Sequence, residues 1–385
     1  MSDAPEVVVN MLWCVPGGVG GSEEDLVRQL LGLSSAADQG GRRWATRVAA
    51  ARGLSAAHAD LAGRMPMVEP PFASESRLRR IAGESTWLRR VSSGAALVHH
   101  GGGTAPSGGV APYVLTVHDL QFRTYPEYFS AAKRAYLGAV IPASARRATV
   151  VAVPSEYVRE SVVSAYGVHP DRVVVVPHGI ESDLTSHVTP ADELRSIYAL
   201  GDGPVLVYPA VTHPHKQHAF LLRMMAEHWT DPDLRLVLTG GAGAAEHVVT
   251  ACDDPRVVRV GRVPAAHRNG LLAMSDAMVF PSQYEGFGAP LIEAMTLGAP
   301  VLCGDATVLS NVEKVLDGEL ADMTFSDPPY NVNYANSAKD KLRGKNRPIL
   351  NDALGEDFGA LLYDACVNIL TVTKGAVYLC MSSCP

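Results

Sequence analysis

The sequence lacks the cysteine pairs from which many metal sites and redox motifs are built. None of its six cysteines belongs to a Cys-x-x-Cys pair, and Cys380 and Cys384, four positions apart, are too weak a signal for a metal site. In a chain of 385 residues, this pattern indicates reduced and mostly buried thiols rather than a disulfide framework. The cysteine content therefore predicts a cytoplasmic protein.

Long apolar runs and an N-terminal basic segment are also absent. No run reaches the length of a membrane span, and residues 1–6 carry no positive side chain, so we expect neither a membrane-crossing helix nor a signal peptide. Attachment to the inner surface of a membrane stays open. A net charge of −7 argues against a surface that binds nucleic acid generally, although a local basic patch stays open.

The composition supports a folded protein with room for two domains. Hydrophobic residues make up 47% of the chain and charged residues 19%, which argues against global disorder. Short apolar runs, typical of buried parallel strands, alternate with helical patterns over most of the chain. A first series of predicted strands covers residues 7–14, 45–50, 95–99, 113–118, 150–153 and 172–176, and a second covers 205–208, 234–239, 257–260, 277–281 and 300–303.

Two such series predict an α/β protein with two doubly wound, Rossmann-like domains. We place the domains at residues 1–180 and 203–312 and join them by a polar linker at 181–202. Asp and Asn become frequent from about residue 313, and residues 313–385 are predicted to form a short βαβ-like fragment. Its strands are expected at 320–326 and 375–381, with a helix at 358–370.

Two carboxylates, Glu285 and Glu293, stand eight positions apart on either side of a predicted helix start. Backbone N–H groups at such a start suit a diphosphate, and carboxylates suit sugar hydroxyls because they accept charge-assisted hydrogen bonds. Gly286 and Gly288 allow the backbone to approach a ligand, and Pro290 fits the first turn of the helix, which would then include Glu293. By spacing alone, the two glutamates are better explained as a loop acid and a solvated helix-start acid.

The whole stretch 280–300 resembles the motif of retaining glycosyltransferases of the GT-B fold, in the large group called family 4. That motif holds two glutamates separated by seven residues within a glycine-containing loop. The resemblance, which runs from about residue 7 to residue 311, implies that Glu285 contacts the donor sugar in catalysis and that Glu293 holds the ribose hydroxyls. It also implies that the donor site is lined by Gly286, Phe287 and Gly288.

Further segments resemble parts of the same family. The glycine loop after the first strand makes Gly20 and Gly21 candidates for contact with the donor phosphates. His118 and Asp119 would face the cleft as catalytic residues, although a histidine at a strand end is otherwise most often a structural hydrogen-bonding group. Lys216 stands at the position of the family's phosphate-binding lysine.

The predicted phosphate site departs from the family pattern, because no arginine precedes Lys216 in its segment. Arg262 would supply part of the missing charge, or is equally well a surface arginine. Three further residues, His213, His215 and His218, crowd one turn without the usual geometry of metal ligands. We therefore expect no metal and, since a nucleotide sugar is a substrate, no cofactor for this reaction.

The resemblance implies transfer of a sugar from a nucleotide-sugar donor to an acceptor with retention of configuration. Lys216 and the helix start before Glu293 would stabilise the departing phosphate, which should be the largest contribution to catalysis. The acceptor would be a glycan, a lipid-linked molecule or a small molecule. No side chain is identified as a nucleophile.

A second signature lies further along the chain. Asp327, Pro328, Pro329 and Tyr330 follow a predicted strand and resemble motif IV of DNA methyltransferases that modify exocyclic amino groups. In that family, Asp327 would accept from the target amino group as a catalytic residue and Tyr330 would stack on the extracted base. DNA and S-adenosylmethionine are the partner and cofactor implied, but residues 313–385 show no glycine-rich segment for S-adenosylmethionine. A DNA amino-methyltransferase module, or an inactive fusion of the two enzymes, therefore stays an alternative.

Overall fold

The structure, a computed structural model, describes residues 4–14, 21–38, 44–73, 76–108, 112–181 and 183–303, together with the strands at 321–326 and 373–379. The chain divides into two compact units, Met1–Gly179 and Ile180–Pro385. Each unit is built on a parallel sheet of its own, which confirms the predicted α/β architecture.

Unit 1 contains a seven-stranded parallel sheet. Its strands are β1 (Glu6–Met11), β2 (Ala45–Ala50), β3 (Met67–Val68), β4 (Leu97–His100), β5 (Tyr113–Thr116), β6 (Val150–Val153) and β7 (Val173–Val175). They lie in the order β3-β2-β1-β4-β5-β6-β7, so the direction of winding reverses between β1 and β4. The helices are α1 (Gly21–Asp38), α2 (Leu54–Ala57), α3 (Ala59–Arg64), α4 (Arg77–Ser85), α5 (Trp87–Val91), α6 (Gln121–Thr124), α7 (Ala131–Arg147) and α8 (Glu156–Tyr166).

Local sequence signals explain the ends of the longer helices in unit 1. Ser155 caps α8, because its side chain accepts a hydrogen bond from the N–H of Val158. Gly167 ends the same helix in the left-handed region, with φ 63°. Helix α7 continues through Pro142, although proline lacks the N–H for a hydrogen bond within the helix. The two-residue strand β3 was not predicted, since it is too short to show a period of two.

Unit 2 contains a five-stranded parallel sheet. Its strands are β8 (Val205–Pro209), β9 (Arg235–Thr239), β10 (Val257–Gly261), β11 (Ala277–Phe280) and β12 (Val301–Cys303). They lie in the order β10-β9-β8-β11-β12, so the winding reverses between β8 and β11. The helices are α9 (Ala191–Ile197), α10 (His218–Glu227), α11 (Glu246–Thr250), α12 (Ala265–Met274) and α13 (Ala289–Thr296).

The segment predicted as a polar linker contributes to the packing of unit 2. Helix α9 lies within it, and Leu194 and Leu200 are fully buried in the core of this unit. The N–H of Thr189 also donates to the carbonyl of Ala266, at 3.0 Å. Burial of Leu194 and Leu200 therefore stabilises unit 2, which a solvated linker would not do.

Two further strands belong to the C-terminal stretch. They are β13 (Ala321–Ser326) and β14 (Thr373–Leu379), which pair in parallel as a separate two-stranded sheet. Both strands were predicted within one or two residues of these bounds. The helix expected at 358–370 lies outside the described residues.

None of the helices in the described part of the chain combines the length and hydrophobicity needed to cross a membrane.

The buried sheet of unit 2 leads to a prediction about stability. Leu236 in β9 has no exposed surface and packs in the core, so Leu236→Ala should lower the free energy of unfolding by about 2–5 kcal/mol. Ile197 in α9 is 49% exposed, so Ile197→Ala should change the free energy of unfolding by no more than about 0.5 kcal/mol. Urea unfolding of both variants measures the difference, and equal midpoints would contradict the packing described for β9.

Candidate functional site

The loops that follow β8 and β11 lie next to each other in unit 2. Because the winding reverses between these two strands, a crevice opens at their carboxyl ends, where ligands of doubly wound sheets bind. The N–H of Gln283 donates to the carbonyl of His215 at 2.9 Å. This bond joins the loop after β11 to the turn that precedes α10.

Tyr208, the fourth residue of β8, strengthens the connection between the two loops. Its hydroxyl donates to the carbonyl of Lys216 at 2.7 Å and lies 2.9 Å from the hydroxyl of Ser282. Since the phenol has one proton and gives it to the carbonyl, Ser282 must donate to Tyr208. Burial raises the pKa of Tyr208, so its hydroxyl keeps the proton that this arrangement needs.

Lys216 and Glu285 form an ion pair in this crevice. The Lys216 ammonium contacts a carboxylate oxygen of Glu285, and the two side chains are 16% and 27% exposed. The same ammonium lies 5.6 Å from the centre of the Phe280 ring. A cation and a carboxylate that were predicted to act on the same ligand are thus side by side at the switch point of the sheet.

Helix α13 starts directly beyond this ion pair. Gly288 caps the helix with φ 82°, a conformation that favours glycine, and Pro290 follows in the first turn. Gly286 and Phe287 are half-buried in the approach to the helix, whereas Gly288 is buried. The first N–H groups of α13 have no partner within the helix, so this end is suited to an anion.

Glu293 is deeply buried, with 5% of its surface exposed. This burial excludes a solvated helix-start acid, which the spacing alone favoured. The helix begins at Ala289, so Glu293 is its fifth residue and lies in the second turn, not in the first turn as predicted. Arg268 of α12 places a guanidinium nitrogen 4.0 Å from the Glu293 carboxylate and offsets part of the cost of burying its charge.

Arg262 lies at some distance along the sheet. It follows β10, the edge strand, which β9 and β8 separate from β11. Its guanidinium is near Gly241, in the loop after β9. The structure therefore does not place Arg262 on the two strands whose loops form the crevice.

Another charged group, not identified from the sequence, supports the loops at this edge. Arg259 in β10 binds both carboxylate oxygens of Glu246 at 3.2 Å and donates to the carbonyl of Gly240 at 2.8 Å. The hydroxyl of Thr212 also donates to Glu246, whose pKa is lowered by the hydrogen bonds from Arg259 and Thr212. An arginine inside an apolar strand needs a partner, and that signal could have identified Arg259. Nothing in the sequence pointed to Arg268.

In unit 1, His118 and Asp119 follow β5. The Nε2–H of His118 donates to the carbonyl of Gly101 at 2.9 Å, and burial lowers the pKa of this histidine. Asp119 is exposed, and its carboxylate accepts from the N–H of Gln121 at 2.9 Å, which supports the start of α6. Gly21 is the first residue of α1.

Five of the predicted site residues lie outside the described residues. One belongs to the glycine loop and the others to the methyltransferase-like signature: Gly20, Asp327, Pro328, Pro329 and Tyr330.

Comparisons with known families agree with the chemistry suggested by the crevice. Residues 36–184 match the family model "Glycosyltransferase Family 4", and residues 203–328 match "Glycosyl transferases group 1". These matches support glycosyltransferase domains over both stretches.

Named relatives of the glycosyltransferase domains have related activities. O-antigen chain mannosyltransferase B of Escherichia coli is 28% identical over 52% of this chain and 54% of its own length. A GDP-mannose-dependent alpha-(1-6)-phosphatidylinositol monomannoside mannosyltransferase of Mycolicibacterium smegmatis is 31% identical over 45% and 48%. The chain thus spans about half the length of the curated relatives it matches first.

A solved structure shows the same fold. Anabaena Alr3699/HepE, in complex with UDP and glucose, superposes with a TM-score of 0.58 over 95% of this chain and 93% of that one, at 18% identity. This likeness confirms the predicted α/β fold of the GT-B type. Neither matching family model describes a methyltransferase, and the group 1 match extends to residue 328, inside the predicted methyltransferase fragment. The comparisons therefore give no support to that fragment, to DNA binding or to a fusion.

The buried histidines of unit 1 predict an acid-sensitive stability. Burial lowers the pKa of His99 and of His100 from 6.5 to about 4, so both are neutral in the folded protein near pH 7. Below about pH 6.5 the unfolded chain binds protons that the folded chain does not, so stability is full above that pH and falls as the solution is acidified. Between about pH 7.5 and pH 5, His100 alone should lower the free energy of unfolding by up to about 2 kcal/mol.

His100→Gln should therefore reduce the pH dependence of unfolding, measured by urea titration at the two pH values. The control is His169→Gln, since the side chain of His169 is 68% exposed. If both variants show the pH dependence of the wild type, the burial of His100 is not its cause.

Proposed function

We propose that the protein is a retaining glycosyltransferase that moves a sugar from a nucleotide-sugar donor to an acceptor hydroxyl. The observation that carries this proposal is the meeting of Lys216, Glu285 and the start of α13 at the strand-order reversal of unit 2. The family matches over residues 36–184 and 203–328 support it. The reaction uses no cofactor, because the nucleotide sugar is itself a substrate.

The donor diphosphate binds between Lys216 and the first N–H groups of α13. Both are positive, and both stabilise the charge that builds up on the phosphate as the glycosidic bond breaks. In the described conformation Lys216 is paired with Glu285, so the incoming diphosphate shares the ammonium with that carboxylate. Arg262 remains a candidate for the additional positive charge that the segment before Lys216 lacks.

The two glutamates take different parts of the donor. Glu293, further along α13 than the phosphate end and only 5% exposed, accepts hydrogen bonds from the ribose hydroxyls. Glu285, in the more open loop, accepts from hydroxyls of the transferred sugar, while Gly286, Phe287 and Gly288 line the space between them. Arg268, 4.0 Å from the Glu293 carboxylate, offsets part of the cost of burying that charge.

Unit 1 supplies the acceptor side in this proposal. His118 is the catalytic candidate there, with Gly20 and Gly21 as contacts to donor phosphate and acceptor. The hydrogen bond from Asp119 to α6 favours a positioning role for that carboxylate. The names of the two mannosyltransferase relatives favour a glycan or lipid-linked acceptor, which would be reached at the inner membrane surface.

A methyltransferase module is the second candidate. It is favoured by one observation, the strand β13, which ends at Ser326 immediately before Asp327 and pairs in parallel with β14. Under this alternative, Asp327 and Tyr330 bind the target base of DNA and S-adenosylmethionine supplies the methyl group.

A thermal-shift panel with UDP, GDP, ADP and S-adenosylmethionine distinguishes the two candidates. A ligand at about one hundred times its dissociation constant adds roughly 2.7 kcal/mol to the folded state. Stabilisation by one nucleoside diphosphate is expected and identifies the base of the donor. Stabilisation by S-adenosylmethionine alone would contradict the proposed function.

Glu293→Gln tests the ribose contact. The substitution keeps the shape but removes the charge, so the dissociation constant for the nucleoside diphosphate should rise roughly tenfold to a hundredfold, as expected for lost charged hydrogen bonds. Glu227→Gln is the control, since Glu227 is 54% exposed at the end of α10. Isothermal titration measures both, and an unchanged affinity in the Glu293 variant would disprove its assignment.

Gly288→Ala tests the diphosphate site at the start of α13. Gly288 and Gly298 have nearly equal φ angles, 82° and 79°, so alanine at either position should destabilise the fold by about 1–2 kcal/mol. Only Gly288 stands at the phosphate-binding end of α13, where an added Cβ would lie 3.2 Å from the Leu291 side chain, whereas a Cβ at Gly298 meets nothing within 4 Å. We expect weaker binding of the diphosphate for Gly288→Ala alone. If Gly298→Ala lost as much affinity, the loss would be explained by the lower stability of both variants and not by the diphosphate site.

A further inference from the structure

Three side chains from separate elements of unit 1 converge on one point. Asp25 lies on α1, His118 follows β5 and His178 follows β7. One ligand atom from each of the three lies within 4.8 Å of the other two. The His178 Nε2 atom is 3.4 Å from a carboxylate oxygen of Asp25, and the rings of the two histidines are 6.0 Å apart at 71°.

The hydrogen bond of His118 determines which ring nitrogen is available. A carbonyl oxygen only accepts, so the Nε2 atom that contacts Gly101 must carry the proton. In the neutral imidazole, Nδ1 then holds the lone pair. That atom is buried and has no hydrogen-bond partner within the described part of the chain. Histidines that bind metals commonly donate their other N–H to a backbone carbonyl in this way.

Asp25 is a buried acid whose hydrogen bonds are incomplete. It is 4% exposed, and one oxygen accepts from the amide of Gln29 at 2.9 Å. Its other oxygen has no hydrogen-bond partner among the residues that the structure describes. A bound cation would satisfy the free carboxylate oxygen and the free imidazole nitrogen together.

We propose that Asp25, His118 and His178 bind a divalent transition-metal ion, with Zn²⁺ as the best match. Two imidazoles and one carboxylate are a donor set typical of zinc sites that keep a position open. Bonds of about 2.0–2.2 Å place the ligand atoms of a tetrahedral ion roughly 3.4 Å apart. The Oδ2 atom of Asp25, which also accepts from Gln29, lies 3.4 Å from His178 Nε2, and the three ligand atoms of the group lie within 4.8 Å of one another.

The site has access for a fourth ligand. A cavity of about 160 Å³ is lined by Asp25, Gln29 and His178, together with His99 and Thr116. This space accommodates a water molecule or a hydroxyl group on the open position of the ion. The expectation that the protein binds no metal rested on three other histidines, of which His213 and His215 stack at 5.8 Å in unit 2, and on the resemblance to the GT-B fold, which generally works without a bound metal.

Zinc titration of the full-length protein, first stripped with EDTA, tests the proposal. The wild type should bind one Zn²⁺ ion per chain by isothermal titration and should melt at a higher temperature with the metal. Asp25→Asn and His178→Gln should each bind at least about tenfold more weakly. The matched control is His187→Gln, because His187 also lies 3.4 Å from a carboxylate, that of Asp183, but both side chains are largely exposed. This variant should bind zinc as the wild type does.

Absence of stoichiometric zinc binding in the wild type would overturn the proposal, as would full affinity in both Asp25→Asn and His178→Gln. Circular dichroism checks that the variants fold, and if either does not, the wild-type protein loaded with Co²⁺ decides. Strong visible absorption of four-coordinate cobalt is expected, and the weak absorption of the hydrated ion would reject the site. Neither measurement uses a nucleotide sugar, so zinc binding is tested separately from glycosyl transfer. With Nε2 donating to Gly101 and Nδ1 bound to zinc, His118 would act as a positioning residue and not as a catalytic one.

Discussion

The phenolic hydroxyl of Tyr208 joins the two loops that carry the charged residues of unit 2. It donates to the backbone beside Lys216 and accepts from Ser282, which precedes Glu285 in the loop after β11. Without this buried bond, the loops after β8 and β11 would be held together by the contact from Gln283 to His215 and by the ion pair of Lys216 with Glu285. The crevice therefore depends on a tyrosine that does not itself face a ligand in the proposed reaction.

Charge compensation is the second constraint on unit 2. Glu293 lies in the interior of α13 with little exposure, and Arg268 of α12 is the cation near it. Lys216 and Glu285 neutralise each other in the open part of the crevice. Burying the Glu293 carboxylate and pairing Lys216 with Glu285 are costly if they serve stability alone. Both features are explained if Glu293 binds the hydroxyls of a donor and Lys216 binds its phosphates.

Much of the architecture could be predicted from the sequence, because buried parallel strands are continuous apolar runs with a recognisable pattern. Both strands of the C-terminal stretch were predicted near their observed bounds. The turn position of Glu293 was wrong, because a helix boundary depends on the φ angle of Gly288. The group formed by Asp25 and His178 was missed altogether.

The sequence by itself determined the alternation of strands and helices and, through a resemblance, which glutamates and which lysine to examine. Only the tertiary structure decided that Arg268 lies near Glu293, that Arg262 follows an edge strand and that Asp25 meets His118 and His178. The physical reason is the range of the interactions. Periodicity and capping act between residues a few positions apart, whereas these pairings join residues that are distant in the chain and meet only when the sheets and helices pack.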